Sequence, residues 1–299
     1  MGEDERTNGY LKIMDLYSSP SGLPSAIDIF NNRLVLLAPG SVTGESIGMT
    51  KAGRSERLRN LAERLIADEA IEEALGRKPV VTIFKPNSLA KNLFEKDPEK
   101  RAIFHEYICN LHRNTLLELR QPSRQGYDVH YTDVALFDRG PHDDIFWSYA
   151  LEDAGLINSA RRERALEIAG WSTKEKLVDM VFGINVPPAR ALEREKKRGE
   201  GFGNVMNPEF LPVLEESYMG AEREERIRKG LASNLERGEI TAEDYKEQTK
   251  DFLVQCPYVS VNGEDFKTVN SNKFFYPLKG QLLYNHGVSE ELEHLAENK

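Results

Sequence analysis

Short apolar runs alternate along this chain with longer stretches in which apolar residues recur every three or four positions. The runs are Leu34 to Ala38, Val80 to Phe84, Val134 to Phe137, Leu177 to Val186 and Tyr258 to Val261. Each is short and nearly free of charge, which predicts five buried strands. Between them the spacing turns helical. Leu58, Leu61, Leu65 and Ile66 form one stripe on a helix from Ser55 to about Leu75, with Gly76 as its stop. Further helices are expected over about 89–119, 143–156 and 211–253, and after Pro187-Pro188. Thr241-Ala-Glu-Asp244 has the spacing of a capping box. Strands alternating with helices predict an α/β fold with a mostly parallel, five-stranded sheet. Ligands on such sheets bind at the carboxyl ends of the strands.

Composition narrows the setting. The 299 residues are 39% hydrophobic, enough for one large domain or two modest ones. Cys109 and Cys256 lie far apart with no CxxC, so neither a disulfide framework nor a zinc site is expected, and a reducing, cytoplasmic setting is. The start, MGEDERTNGY, is acidic and polar, unlike a secretory signal, and no apolar run approaches a membrane span. A net charge of -9 disfavours broad attachment to nucleic acid or anionic lipid. The basic residues nevertheless cluster between Arg190 and Arg198, which suits a small polyanion.

The candidate chemistry sits where strands end. Gly48-MTKA-Gly53-Arg54-Ser55 has the spacing GxxxxG[K/R]S and runs straight into a helix. Glycines let a backbone wrap phosphate oxygens, and the amides of the helix start face the anion. Gly48, Lys51, Ala52, Gly53, Arg54 and Ser55 are therefore the expected phosphate cradle, with the Ser55 hydroxyl on Mg²⁺. The segment before it, SVTGESI, reads as a poor strand. A second glycine loop, Pro39 to Ser46, directly follows an expected strand, but its Glu45 would face phosphate.

Asp138-Arg139-Gly140 closes the third strand. Asp138 is a candidate Mg²⁺ ligand or proton acceptor, Arg139 a bidentate partner for acceptor phosphate, and Asp143 a further acceptor contact or a helix-start carboxylate. His142 reads as a surface or turn residue. Lys85 and Asn87, after the second strand, are placed in the acceptor pocket. Phe84, Tyr107 and Trp147 are candidates to stack on a base. After the fourth strand, Arg194 and Arg198 belong to a charged helix suited to cover a transferring phosphoryl group, and Gly199 to Asn204 would make it mobile.

These residues together resemble the thymidylate kinase branch of the P-loop nucleotide kinases. The match rests on the Gly48–Ser55 loop, on Asp138-Arg139, on Val186-PPARALE-Arg194 and on Pro208-EFLPVLEES-Tyr218, in order from about Ser41 to Tyr218. The resemblance implies a three-layer P-loop sandwich with a helical lid, ATP, Mg²⁺, a nucleotide-like acceptor, Arg139 on acceptor phosphate and Arg194 as a lid arginine. It divides the chain into an extension (1–32), a kinase-like domain (33–275; lid about 190–210, helical insertion about 220–253) and a tail (276–299). Three departures stand out. Arg54 replaces the loop lysine, Lys85-Pro86-Asn87 stands where the family has Glu-Pro-Gly, and Gly140 replaces an aromatic. The readings left open are a small-molecule kinase, a nucleotide-binding module without catalysis, and a kinase acting on modified bases in DNA. Self-association into a homodimer is left open as well.

Overall fold

The computed structural model describes residues 11–16, 27–28, 33–48, 53–86, 98–121, 128–197, 208–263 and 267–288. Its strands are β1 (Leu11–Leu16), β2 (Ile27–Asp28), β3 (Arg33–Gly48), β4 (Val81–Pro86), β5 (Asp128–Asp138), β6 (Met180–Asn185) and β7 (Tyr258–Asn262). They form one sheet in the order β1-β4-β5-β3-β6-β7, with β2 paired antiparallel to β3 and every other pairing parallel. The helices are α1 (Arg54–Ala67), α2 (Glu69–Leu75), α3 (Pro98–Glu118), α4 (Pro141–Asp153), α5 (Ser159–Lys174), α6 (Pro188–Lys197), α7 (Phe210–Glu236), α8 (Ala242–Thr249) and α9 (Lys267–Asn285).

The mostly parallel α/β architecture agrees with the sequence pattern, with two corrections. The sheet holds more than five strands, because Leu11–Leu16 pairs along the outer edge of β4, Leu11 opposite Val81. A mixed polar–apolar run such as LKIMDL gives no strong strand signal of its own; pairing to β4 supplies it. The second correction concerns β3. The expected strand stops at Pro39, whereas the observed one continues to Gly48. Its register against β5 shifts between Leu37 and Val42, so a bulge takes up Pro39, which has no N–H to give the ladder, and Gly40, at φ 74°. Pro39–Ser46 is thus strand and not a second phosphate loop. The helix α9 crosses residue 275 and buries Leu278, Leu282 and Leu283.

Crossover handedness sets the layers. The chain leaves β3 through α1 towards β4 in one direction along the sheet, then returns through α3 to β5 and onward through α4 and α5 to β6. Right-handed connections running in opposite directions place their helices on opposite faces. The packing agrees: α1 meets α9, while α4 meets α3, α5 and α7. At the carboxyl ends of the neighbouring strands β3 and β5 the chain therefore departs to opposite faces. The crevice between those two ends is the place where such sheets bind ligands. No helix of the described residues is long and apolar enough to cross a membrane.

Candidate functional site

Register fixes the centre of the site. Ser46 of β3 lies opposite Asp138 of β5, so Gly48 and the loop after it emerge beside Asp138. Gly48 adopts φ +132°, and a Cβ there would run into the Ile184 carbonyl on β6, so only glycine lets the chain turn out of the sheet at this point. Residues 49–52 lie outside the described set, and with them Lys51 and Ala52. The chain re-enters at Gly53, in the left-handed conformation, and starts α1 at Arg54. A central strand ending at Gly48 and a helix starting just after Gly53 thus flank the segment with the GxxxxG[K/R]S spacing.

Asp138, 7% exposed, receives both of the residues that open α1. Arg54 Nε donates to Oδ1 at 3.2 Å, and the Ser55 hydroxyl donates to Oδ2. Arg54 Nη1 also donates to the Gly48 carbonyl, across the mouth of the loop. Burial pulls this guanidinium towards neutrality, but Asp138, then Asp143, outweigh it and raise its pKa, so it stays charged.

The second half of the site is carried by α4. Arg139 has φ 83°, left-handed for a side chain with a Cβ, and its N–H donates to the Ser46 carbonyl at 3.1 Å. That turn sends the guanidinium back over its own helix. Nη1 reaches Asp143 Oδ2 at 3.1 Å, and the guanidinium carbon sits 4.9 Å above the Trp147 ring. Asp143 is buried, and its Oδ1 accepts from the Tyr218 hydroxyl of α7 at 2.7 Å and from the Gly48 N–H at 3.4 Å. Asp143 therefore sits behind Arg139, joined to both sides of the crevice.

Glu45 explains why α4 starts where it does. It is fully buried in β3, accepts from the backbone N–H groups of His142 (3.2 Å) and Asp143 (2.8 Å), and pairs with His142 Nδ1 at 2.8 Å. The carboxylate satisfies the otherwise orphaned amides of the helix N-terminus and complements its dipole. Gly140 is required beside it, because a Cβ there would lie 2.8 Å from the Glu45 carboxyl carbon. His142 is thus buried and not on the surface. Burial alone would lower its pKa; the facing Glu45 overrides this and, with Cys256, carries it up to about 10.

The structure brings Gly48, Gly53, Arg54, Ser55, Asp138, Arg139 and Asp143 together at one crevice. Arg194 lies further along the same edge, where Nη2 donates to the Gly263 carbonyl at 3.3 Å. Arg57 of α1 donates to that same carbonyl at 2.8 Å, and its guanidinium would meet a Cβ on Gly53 at 2.7 Å. Lys85 lies one residue before the end of β4, opposite Asp15 of β1 and just beyond the Phe84–Phe137 pairing with β5. Asn87 and Arg198 lie outside the described residues. Of the aromatic candidates, Phe84 stacks on Phe137 within the core and Trp147 is taken by Arg139 and Phe210, while Tyr107 stacks on Phe104 at the surface.

Sequence reasoning misread Glu45 and His142, and missed Arg57 and the part played by Tyr218. Glu45 lies between Gly44 and Ser46 in a polar stretch, so nothing local marked it as a buried carboxylate. Tyr218 continues the stripe of Leu211 and Leu214 on α7, and nothing local marks its hydroxyl as anything beyond core.

Among the described residues no cluster of three or more His, Cys, Asp or Glu forms a metal-binding group. The Ser55 hydroxyl and Asp138 carboxylate, already in contact, are hard oxygen donors of the kind that Mg²⁺ takes when phosphates and water supply the rest.

No family model matches the chain, and no curated protein matches it. Solved structures of a deoxyadenosine kinase from M. mycoides are similar in chain course. The one with the products dCMP and dCDP is 14% identical with a TM-score of 0.48, covering 80% of this chain and 99% of that one. The one with dCTP is 16% identical at 0.47 (80% and 99%), and the one with dATP 16% identical at 0.48 (80% and 100%).

Proposed function

We propose that the chain is an ATP-dependent P-loop kinase that transfers a phosphoryl group to a nucleotide or nucleotide-like small molecule, in the manner of thymidylate kinases. The observation that carries this reading is the convergence of Arg54 and Ser55 on Asp138, at the exit of the glycine turn between β3 and α1. Amides of residues 48–55 would hold the triphosphate. Ser55 and Asp138 would hold Mg²⁺, which neutralises charge on the β- and γ-phosphates when bound. Arg54 supplies the fixed cation of the loop. Arg194 and Arg198 would cover the transferring group, since phosphoryl transfer needs positive charge spread over its oxygens. Arg139 would face the acceptor, with Asp143 behind it and Lys85 on the neighbouring strand, and Asn87 is a further proposed acceptor contact.

The test is turnover of Mg-ATP against a panel of nucleosides, nucleoside monophosphates and modified pyrimidine nucleotides. Phosphorylation of one class is the expected result. ATP binding without turnover on any acceptor rejects transfer and supports a second reading, a nucleotide-binding module. That reading draws on the Arg54–Asp138 pair itself, which occupies the carboxylate that Mg²⁺ needs.

A further inference from the structure

We infer that Tyr218 is a positioning residue: its hydroxyl divides the two oxygens of Asp143 so that one of them is left to aim Arg139 at the acceptor. The inference rests on the kinase reading above and deepens it. A carboxylate accepts on two oxygens, and here they have separate tasks. Oδ1 takes the Tyr218 hydroxyl at 2.7 Å and the Gly48 N–H at 3.4 Å. Oδ2 takes Arg139 Nη1 at 3.1 Å. Between the two the phenol donates and the carboxylate oxygen accepts. Burial, reinforced by Asp143, raises the phenol pKa well above its ordinary value, so the donor proton is always present.

Tyr218 is 2% exposed and cannot touch an acceptor itself. Its position is rigid. The ring packs on Phe146 of α4 with centroids 5.7 Å apart, and the neighbouring Ser217 hydroxyl donates to the Phe146 carbonyl at 2.7 Å. Arg139, by contrast, keeps 22% of its side chain exposed and is held by two contacts, Asp143 Oδ2 and the Trp147 face. Removing the phenol oxygen frees the Oδ1 side of the carboxylate to rotate. Arg139 then loses its bearing while the Arg54–Asp138–Ser55 cluster, on the donor side, keeps its own bonds. The defect therefore falls on the acceptor and not on ATP.

The experiment is Tyr218→Phe, which keeps the ring packing, assayed with Mg-ATP and thymidine monophosphate, or with whichever panel acceptor the parent protein phosphorylates fastest. The expected result is an acceptor KM raised about tenfold, the loss of one hydrogen bond to a charged group, with the KM for ATP within about twofold of the parent. In an Arg139→Lys background the same change should add less than about twofold, since the two residues act in series. Asp143→Asn, the link between them, should raise the acceptor KM more than the KM for ATP, the smaller ATP effect arising from its contact with the Gly48 N–H, and serves if Tyr218→Phe fails to fold. A parent protein without turnover on any acceptor overturns the kinase reading and this inference with it. Parent turnover with both KM values moving together, with neither moving, or with full additivity on Arg139→Lys overturns the inference alone.

Discussion

Arg54 Nε lies 3.2 Å from Asp138 Oδ1, an ion pair spanning 84 positions of sequence with side chains only 9% and 10% exposed. The pair ties the first residue of α1 to the last residue of β5 and so closes the crevice between the two strand ends. Its burial makes it sensitive to the loss of either partner. Arg54→Ala would leave the buried Asp138 carboxyl without its cation, and should cost about 3 kcal/mol of stability in denaturant unfolding. Arg54→Lys keeps the charge but cannot bridge Gly48 and Asp138 with a planar fork, so turnover should fall at least about tenfold with a smaller loss of stability. Equal or higher turnover in the lysine variant would show that Arg54 is not the working cation.

Asp138→Asn removes the charge and keeps the shape. Arg54 can keep the amide oxygen, while the Ser55 hydroxyl must turn to accept from the new NH2, so the protein should fold with reduced stability. Turnover should fall about a hundredfold or more, and the Mg²⁺ concentration for half-maximal rate should rise. Initial rates across a Mg²⁺ titration check this; an unchanged Mg²⁺ dependence removes Asp138 from the metal site.

The His142–Glu45 pair predicts a pH dependence of stability. His142 has a folded pKa of about 10 against an ordinary value of 6.5. A raised pKa gives stability that is fully present below 6.5 and is lost as pH rises through about 10. The difference in Tm between the parent and His142→Gln should therefore be widest at and below pH 6.5 and should shrink steadily towards pH 10. A difference that is flat across this range would mean that the imidazole is neutral in the fold.

Removal of residues 1–16 should destabilise the protein and promote aggregation. Leu11 is buried in the main core, and β1 covers the outer edge of β4. Without it that edge presents unpaired amides and carbonyls to other chains. A loss of about 2–4 kcal/mol is expected from the vacated core position. Urea unfolding and light scattering of the truncated chain test it, and a truncated chain as stable and soluble as the parent refutes the role of β1.

The Gly140 position offers a steric test of the same helix start. Gly140→Ala would press a methyl against the buried Glu45 carboxyl, 2.8 Å away, which is held by the amides and imidazole at the start of α4. A loss of about 1–3 kcal/mol is expected in thermal unfolding. A neutral effect would mean that Glu45 can move without disturbing α4.

Periodicity alone determined the strand–helix alternation and the parallel sheet, because both depend on which residues within a few positions are apolar. The same locality made the strand end at Gly48 and the helix start after Gly53 legible, because both glycines and the helix stripe are adjacent in the chain. Asp138 and Arg139 could be picked out for the same reason, since they end an apolar run. Partnerships across the sheet were decided elsewhere. That Glu45 serves the start of α4, that His142 is buried, that Tyr218 reaches Asp143, and that the strand continues past Pro39 all follow from register between strands and helices 75 or more positions apart. A buried carboxylate is tolerable only when distant donors converge on it, and only the folded chain brings those donors within hydrogen-bonding distance.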